Sequence, residues 1–461
     1  MKTSLSIKSI IILVLPYFFI SCSNEHKREF TNNPSLSFPT AEGSGAITKG
    51  GRGGEVIEVT NLNSNGEGSL REACESNSTR TVVFRVGGTI DLKGKDIEIL
   101  NSNITIAGQT ATGDGIQIKN GGIRVIANEV IIRYLRIRPG PAKANTDALC
   151  ISSKDRHHRQ KNIIVDHVST SWSVDENVDA GSFSDNITIQ WSIIAEGLHN
   201  SIHKEGAHSR GLMVTEDSRN ITLHHNLFYR NLKRNPLIQS SDADIVNNVM
   251  VNLDRQIFIQ PFKGKIQVNI VGNYFRSKSG KHAPIRVYDY NKGYDNKSAI
   301  YYKDNYDKKY RPDSTYPQTT IREFQFDTKK VDNIDGHITD KKDRYPFVKV
   351  KTQNPQEAYR LVLDSVGANY PIRDSVDLRI INEVKSGKPP KFFINNPSDI
   401  GGWAKLKSSK APKDSDHDGM PDNWERDKGL NPKNSLDRNK KNLSPEGYTN
   451  LEVYLNGLVK K

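Results

Sequence analysis

Cysteine is scarce in this sequence, with three cysteines among 461 residues. So few cannot form a disulfide scaffold, and Cys74 and Cys150 can either pair or lie buried separately. Glycine at 34 and proline at 20 are too rare for a collagen-like or low-complexity chain. Hydrophobic residues make up 35% of the sequence, which is enough for a core but too little for several membrane spans. These absences leave a folded chain with a sizeable core.

Acidic residues are outnumbered by basic ones, 53 against 66, which gives a formal net charge of +13. This excess favours an anionic partner. On charge alone, nucleic acid, a membrane surface and an acidic polysaccharide are all candidates. Surface charge that only keeps the protein soluble is an equal alternative.

The N-terminal segment contains one long apolar run, at residues 10–20, which is too short for a spanning helix. Two lysines precede it, and Ser21 and Cys22 follow it. A small residue before Cys22 is typical of a bacterial lipobox, in which the cysteine carries a lipid anchor. We therefore predict a lipoprotein signal peptide at 1–22 and a chain anchored to the outer membrane, with ordinary secretion as the alternative. Either form of export argues against nucleic acid as the partner.

Short β-branched segments recur along the chain and are separated by Gly, Asn, Asp and Ser, which favour turns. Several begin with Asn and return at intervals of 22 to 34 residues, as at 162–165, 186–189 and 220–223. Such a repeat is typical of a solenoid, whose stacked coils bury one continuous core. We predict an all-β fold, a parallel β-helix at 41–300, in which equivalent Asn side chains stack as a hydrogen-bonded ladder. A β-sandwich is the alternative.

The segments on either side of the repeats differ in composition. Residues 23–40 are polar and are predicted to form a tether. Residues 301–412 are predicted to form a loop-rich and helical extension, with helices near 354–374 and 374–385. Residues 413–461 are predicted to form a small separate module.

An acidic loop at the start of this module is the most specific local motif. Seven of its residues match positions 1, 3, 5, 6, 7, 9 and 12 of an EF-hand loop, and they are Asp414, Asp416, Asp418, Gly419, Met420, Asp422 and Glu425. No entering helix precedes the loop, so it resembles thrombospondin type 3 and dockerin-like modules. We predict a structural calcium site, with a solvated acidic turn as the alternative.

A second acidic set lies inside the repeats, and a cationic set follows it by about one coil. The acidic residues are Asp147, Asp166, Asp175, Glu176 and Asp179, and the cationic residues are His199, His203, Lys204, His208, His224, His225, Arg230, Lys233 and Arg234. Clustered carboxylates repel one another unless a cation or a proton lies between them. The acidic set therefore predicts either a calcium site or an acid/base pair for glycoside hydrolysis. Zinc is a further alternative, but His203 and His208 lack the i, i+4 spacing of a helical zinc site, and no cysteine assists them.

Several short motifs carry a family resemblance over about residues 40–280. They are Gly50-Gly51-Arg52-Gly53-Gly54, Thr81-Val82-Val83-Phe84 with Gly87-Gly88-Thr89-Ile90, Asn103-Ile104-Thr105-Ile106-Ala107-Gly108-Gln109, Val165-Asp166-His167, and His224-His225-Asn226 followed by Arg234-Asn235-Pro236. With these motifs the chain resembles polysaccharide lyase family 1, the pectate lyases, and its tail resembles lipid-anchored lyases of Bacteroidetes type. The resemblance implies a right-handed parallel β-helix and calcium-dependent β-elimination on polygalacturonate, or pectin, which leaves 4,5-unsaturated ends.

The resemblance also implies roles for individual residues. Arg234 is the expected catalytic base, and Lys204 is the expected groove lysine, with His199 as the alternative at the strict offset. The expected calcium ligands are Asp147, Asp175, Asp179 and Asn145, the last at a position where the family often has Asp. The expected substrate contacts are His199, His203, Arg230 and Gln239. Gln239 stands where many members have Arg, and Arg230 and Arg255 are the candidates to replace that contact.

Two other functions fit parts of the pattern. A β-helical polygalacturonase would hydrolyse the chain with paired aspartates and would need neither Arg234 nor calcium. A noncatalytic surface protein could bind glycans through the same solenoid. The Arg234-Asn235-Pro236 context argues against both. We therefore expect a monomeric lyase whose partner is an acidic polysaccharide.

Overall fold

The computed structural model describes residues 35–459, except for 154, 240, 252–255, 262–264, 277–283, 288–297, 309–314, 317–324 and 327–337. The predicted signal peptide with Cys22 lies outside the described residues, as do residues 23–34 of the predicted tether and Arg255. Among the helices of the described part, none combines the length and apolarity needed to cross a membrane.

The strands, numbered in chain order, form three sheets, and successive strands enter the three sheets in turn. The first sheet contains β1 (Glu55–Val59), β2 (Arg80–Phe84), β5 (Ile104–Ala107), β8 (Val130–Arg133), β11 (Gln160–Asp166), β14 (Ser184–Gln190), β17 (Arg219–His224), β20 (Asp242–Val246), β23 (Gln267–Val271), β26 (Ser298–Lys303) and β30 (Ile338–Asp340). Every neighbouring pair in it is parallel.

The other two sheets have shorter strands. The second contains β3 (Gly88–Asp91), β6 (Ile116–Lys119), β9 (Arg136–Arg138), β12 (Ser169–Ser171), β15 (Ile193–Ala195), β18 (Leu227–Tyr229), β21 (Val249–Val251), β24 (Tyr274–Arg276), β27 (Asn305–Asp307) and the antiparallel β28 (Thr315–Tyr316). The third contains β4 (Ile97–Ile99), β7 (Ile123–Val125), β10 (Leu149–Ile151), β13 (Glu176–Ala180), β16 (Arg210–Val214), β19 (Leu237–Gln239), β22 (Ile257–Gln260), β25 (Ile285–Val287) and β29 (Gln325–Phe326).

The repeated β-branched segments of the sequence all lie in the first sheet and stack in register. Ile163 pairs with Ile187, and Ile187 pairs with Ile221, and all three side chains are buried in the same core. The predicted parallel β-helix is therefore confirmed, and the β-sandwich alternative is wrong. The long interval between strands of one sheet reflects the two other strands that each coil contains.

The predicted asparagine ladder is present at the corner between the first and second sheets. The amide oxygen of Asn248 accepts from the backbone and side-chain nitrogens of Asn226, each at 3.0 Å. The same pattern continues through Asn273 to Asn305. These side chains satisfy buried backbone groups at a corner where strand-to-strand bonding is interrupted.

Five helices accompany the described strands. They are α1 (Leu70–Glu75), α2 (Pro355–Ser365), α3 (Ser375–Ser386), α4 (Asp422–Asp427) and α5 (Asn450–Gly457), with short 3-10 turns at Gly108–Thr110, Pro397–Ile400 and Asp437–Asn439. Helix α2 begins with Pro355 after the cap Asn354, as its sequence predicts, but it ends at Ser365. Helices α2 and α3 pack their apolar faces on the outer side of the second sheet.

Three boundaries differ from the sequence-based expectation. The solenoid continues beyond residue 300 through β27 to β30, in a region whose Tyr, Lys and Asp content resembled loops. The predicted tether was residues 23–40, but Phe38 is already part of the folded domain, since it is 2% exposed and packs against Ile131 and Ile164. The C-terminal module is not separate, because Met420 and Leu451 pack with Ala107 of the solenoid. Burial of apolar side chains such as Phe38, Met420 and Leu451 removes them from water and so stabilises the fold.

Candidate active site

Stacking of β10 and β13 brings three predicted calcium ligands to one place. Asp147 lies just before β10, Asp175 lies just before β13, and Asp179 lies within β13 and pairs in register with Cys150. The Asp147 carboxylate accepts from the backbone nitrogen of Glu176 at 2.9 Å. Oxygens of Asp147, Asp175 and Glu176 lie within 4.8 Å of one another, as do ligand atoms of Asp147, Cys150 and Asp179. We call Asp147, Asp175, Glu176 and Asp179 the carboxylate cluster.

Burial dominates the electrostatics of this cluster. Burial, reinforced by the charges of Asp179 and Asp175, raises the pKa of Asp147 well above its usual range. Burial and the charge of Asp175 raise the pKa of Asp179 to about 7. Such carboxylates ionise at neutral pH only when positive charge is placed between them. The charge of Arg124 opposes the pKa shifts of both Asp147 and Asp179, and the sequence analysis missed this residue. Only its register opposite Cys150 could have indicated that it lies near these carboxylates.

Two histidines hold the third carboxylate. His203 and His208 are both buried, and their rings stack with centroids 3.6 Å apart. Nε2 of His208 lies 2.8 Å from Asp175 Oδ1, and Nε2 of His203 lies 3.5 Å from Oδ2. Burial alone would raise the pKa of Asp175, but the hydrogen bond from His208 and the charges of both histidines lower it below its usual value. His203 was predicted to bind substrate, and in the structure it lies next to Asp175, a predicted calcium ligand.

Arg234, the predicted base, faces the carboxylate cluster from the loop between β18 and β19. Its guanidinium forms an ion pair with Glu176, and its side chain remains 28% exposed. Burial lowers the pKa of Arg234, while the charges of Asp175 and Asp147 oppose that shift. The sequence analysis included Glu176 in the acidic set but gave it no role. Its ion pair with Arg234 depends on how the coils stack, which the sequence does not show.

The remaining predicted site residues lie on turns or in the third sheet. Asn145 and Lys204 have exposed side chains on turns. Gln239 donates to Gln260 at 3.0 Å. The exposed turns that carry Asn145 and Lys204 have no strand register to fix them, so sequence offsets place these residues poorly.

Two further predicted contacts, His199 and Arg230, lie against the C-terminal extension. The ring of His199 stacks on Phe393 with centroids 4.3 Å apart. Arg230 forms an ion pair with Glu196 at 3.4 Å and donates to the backbone oxygen of Phe392 at 2.5 Å. Both residues therefore contact the C-terminal extension, at Phe393 and Phe392.

The acidic loop of the C-terminal module forms a second oxygen-rich group. Oxygens of Asp414, Asp416 and Asp418 lie within 4.8 Å of one another, and so do those of Asp418, Glu425 and Asp437. Gly419 has a φ of 88°, in the left-handed region that its turn position requires. Asp437 was missed because it lies beyond the last position of the EF-hand loop.

Two residues of the loop differ from the EF-hand expectation. Asp422 does not join these groups, since its oxygens accept from the backbone and hydroxyl of Ser415 at 2.7 and 2.9 Å. The side chain of Met420 is buried against the solenoid, where it packs with Ala107. At position 7 of an EF-hand loop the ligand is the backbone carbonyl, which this packing does not involve. Asp422 therefore stabilises the turn, and Asp437 supplies the additional carboxylate.

Both oxygen groups have the donor chemistry that a hard cation requires. Buried carboxylate oxygens without a hydrogen-bond partner are present in both, on Asp179, Asp416, Asp418 and Glu425. Burial, reinforced by neighbouring carboxylates, raises the pKa of Glu425 to about 8. Oxygen-only donor sets of this kind fit Ca²⁺.

Comparison with known proteins places these features in context. No protein-family model matches the chain. The chain is 37% identical over 428 residues to a probable pectate lyase C of Aspergillus flavus, an alignment that covers 92% of this chain and 94% of that protein. A probable pectate lyase C of Aspergillus oryzae matches with the same identity and coverage.

Solved structures share the fold. The cedar pollen allergen Jun a 1 is 18% identical and matches 71% of this chain and 92% of its own, with a TM-score of 0.51. A mutant of the Bacillus subtilis pectate lyase is 13% identical and matches 73% of this chain and 99% of its own, also with a TM-score of 0.51. The solenoid is thus a right-handed parallel β-helix of the kind seen in these proteins.

Proposed function

The chain belongs to the pectate lyase family and is a polysaccharide lyase, and on that premise we propose that it cleaves polygalacturonate by calcium-dependent β-elimination. The observation that carries the proposal is the position of Arg234 beside the carboxylate cluster. The relatives that match over nearly their whole length are named as pectate lyases. The excess of basic residues, 66 against 53, suits an acidic polysaccharide.

The residues of the chain divide the work as follows. Asp147, Asp175 and Asp179 would hold the calcium ion. When bound, the ion stabilises the negative charge that develops on the uronate carboxylate and so acidifies the neighbouring C5–H bond. Arg234 in its neutral form accepts the C5 proton; burial lowers its pKa in the direction that this role requires, and the charges of Asp175 and Asp147 oppose that shift. Glu176 contacts the Arg234 side chain and positions it beside the carboxylate cluster.

The electrons of the broken C5–H bond form the new double bond between C4 and C5. The bond from C4 to the glycosidic oxygen breaks, and that oxygen takes a proton from water. One product therefore carries a 4,5-unsaturated end. Lys204 and Asn145, which the family resemblance assigned to the groove and to calcium, have exposed side chains on turns, and their roles stay predictions.

The C-terminal module is proposed to bind a second, structural calcium ion. Asp414, Asp416, Asp418, Glu425 and Asp437 provide carboxylate oxygens, two groups of which share Asp418. The docking of the module on the solenoid suggests that the ion stabilises the end of the fold that contains the first coils.

We further propose export, lipid anchoring at Cys22 and a monomeric state. These proposals rest on the sequence pattern of residues 1–22 and on the resemblance to lipid-anchored lyases. A lipid anchor at the outer membrane would place the enzyme where polysaccharide is accessible. Radiolabelled fatty acid should be incorporated into the wild-type chain in its host and not into a Cys22→Ser variant.

The two alternative functions have weaker support. An inverting polygalacturonase needs carboxyl groups about 6.5–9.5 Å apart to admit a water molecule. In the carboxylate cluster, oxygens of Asp147, Asp175 and Glu176 lie within 4.8 Å of one another, and oxygens of Asp147 and Asp179 lie within the same distance. A noncatalytic glycan binder has no need for the placement of Arg234 beside these carboxylates.

One assay separates the three functions. Polygalacturonate is incubated with the protein and calcium, and both ultraviolet absorbance of the unsaturated end and new reducing ends are followed. If unsaturated ends and reducing ends form in equal numbers, and a chelator abolishes both, the lyase is supported. Reducing ends without the absorbance would identify a hydrolase, and neither signal on a panel of uronans would identify a binder.

A further inference from the structure

A cavity of about 180 Å³, lined by two exposed aromatic side chains, lies between the solenoid and the C-terminal extension. Its walls come from three parts of the chain: Ser209 before β16, the segment 230–232 after β18, and the segment 389–394 of the C-terminal extension. Phe392 and Phe393 are 50% and 43% exposed, whereas exposed rings of this size are costly without a function. The cavity is not used by the reaction described above.

Residues that line the cavity are close in sequence to residues of the candidate active site. Ser209 directly follows His208, which holds Asp175, and Leu232 lies two residues before Arg234. Ser209 precedes β16 and Leu232 precedes β19, whereas Asp147 precedes β10 and Asp175 precedes β13. The cavity is therefore displaced by one to three coils from the carboxylate cluster, or roughly 5–15 Å at the usual strand spacing. A polymer in the catalytic groove can extend to it.

The aromatic wall is held firmly against the solenoid. The backbone nitrogen of His199 donates to the oxygen of Ile394 at 2.8 Å, and that of Asn200 donates to the Asn395 side chain at 2.9 Å. Ile394 itself is buried. Phe393 is fixed by stacking on His199. The two phenylalanines are thus pre-positioned, which reduces the entropy cost of binding.

The charge of the walls favours an anionic occupant. Lys391 lines the cavity and is exposed. Glu196, which lies behind Arg230, is buried and forms ion pairs with both Arg230 and Arg379, so it leaves no unpaired negative charge there. A volume of about 180 Å³ is below the roughly 300–1,000 Å³ of sites for drug-sized ligands, so the cavity suits one sugar unit rather than an oligomer.

We propose that this cavity is an additional subsite, which binds one uronate unit of the substrate chain at a distance from the bond that is cleaved. The inference rests on the proposed function. Phe392 and Phe393 provide the apolar surface for a sugar ring, and Lys391 attracts its carboxylate. The C-terminal extension thereby contributes to preference for longer substrates.

The test compares oligogalacturonates of increasing length with a double variant, Phe392→Ala with Phe393→Ala. The ratio of kcat/KM for long over short oligomers should fall about five- to tenfold, which corresponds to the loss of aromatic contacts. A double Tyr variant at the same positions should keep the wild-type ratio. Leu436→Ala, which removes a 71% exposed side chain in the C-terminal module, is the matched control and should also keep it.

The outcomes separate the two proposals. If the wild-type enzyme cleaves galacturonan and the double Ala variant keeps the wild-type length ratio, the subsite is wrong and the proposed function stands. If the wild-type chain cleaves no galacturonan, the proposed function is overturned and the subsite with it. Circular dichroism confirms that each variant folds, and a Lys391→Gln variant with an unchanged KM for long oligomers would contradict the anionic preference.

Discussion

Nε2 of His208 lies 2.8 Å from Oδ1 of Asp175, and this contact links the β15–β16 loop to the carboxylate cluster. It lowers the pKa of Asp175, while the neighbouring Asp179 has a pKa raised to about 7. One carboxylate is thus kept ionised in a cluster where burial favours neutral acids. This asymmetry gives a cation a charged ligand at which to begin binding.

The His208–Asp175 contact predicts weaker calcium binding when it is removed. In His208→Ala, the calcium concentration for half-maximal activity should rise about tenfold, as is typical when a side chain that supports a metal ligand is lost. His208→Gln, which can still donate to Asp175, should recover much of the affinity. His158→Ala is the control, since His158 is highly exposed and contacts Asp155 outside the cluster. An unchanged calcium requirement in His208→Ala would refute the role.

The raised pKa values of the carboxylates predict an unusual pH dependence of the calcium-free protein. Burial raises the pKa of Asp179 and of Asp418 to about 7, above the unfolded value of about 3.9. The folded state therefore binds more protons than the unfolded state between these values. In chelator, the free energy of unfolding should fall as pH rises from about 4 to 7.

Excess calcium should remove that fall, because the ionised carboxylates are then ligands. The measurement is the thermal midpoint between pH 4.5 and 8, in chelator and in calcium. Asp418→Asn and Asp179→Asn should each reduce the pH dependence in chelator. Parallel pH profiles with and without calcium would show that these carboxylates are not metal ligands.

The sequence predicted the solenoid better than the site. Asn162, Asn186 and Asn220 recur in the sequence because every coil has an equivalent corner. Asn226 and Asn248 could be predicted for the same reason. Asp147, Asp175 and Asp179 could be grouped because coils stack in register. The exposed positions of Lys204 and Asn145, and the contribution of Asp437, depend on turns whose course no repeat dictates.

The asparagine ladder predicts a stability cost that depends on position. Asn248→Ala removes hydrogen bonds to Asn226, Asn273 and buried backbone, and should destabilise the protein by about 1–3 kcal/mol. Asn220→Gly removes one exposed hydrogen bond, from Asn220 to the Asn186 side chain at 3.1 Å, and keeps the left-handed backbone at φ 53°, so it should cost much less. Denaturant unfolding of both variants measures the difference, and equal costs would refute the argument.

A buried ion-pair network predicts that the helical extension is tightly attached. Arg138 contacts Asp374 at 2.5 Å and Asp377 at 2.7 Å, and all three side chains are buried. Arg138→Ala leaves two buried carboxylates without their main partner and should cost about 3–5 kcal/mol. Arg360→Ala, which breaks an exposed ion pair with Glu357, should cost at most about 1 kcal/mol. Urea unfolding of the two variants tests this, and similar costs would contradict it.

The central claim is that Arg234 abstracts a proton beside a calcium site formed by the carboxylate cluster. It is tested most directly by the initial rate of formation of 4,5-unsaturated product from polygalacturonate, measured against calcium concentration for wild type and Arg234→Lys. We expect the wild-type rate to saturate with calcium, and the variant rate to fall at least about a hundredfold at every calcium concentration. Calcium binding measured by calorimetry should be retained in the variant. A variant that keeps near wild-type rates, or a wild-type rate that ignores calcium, would contradict the account.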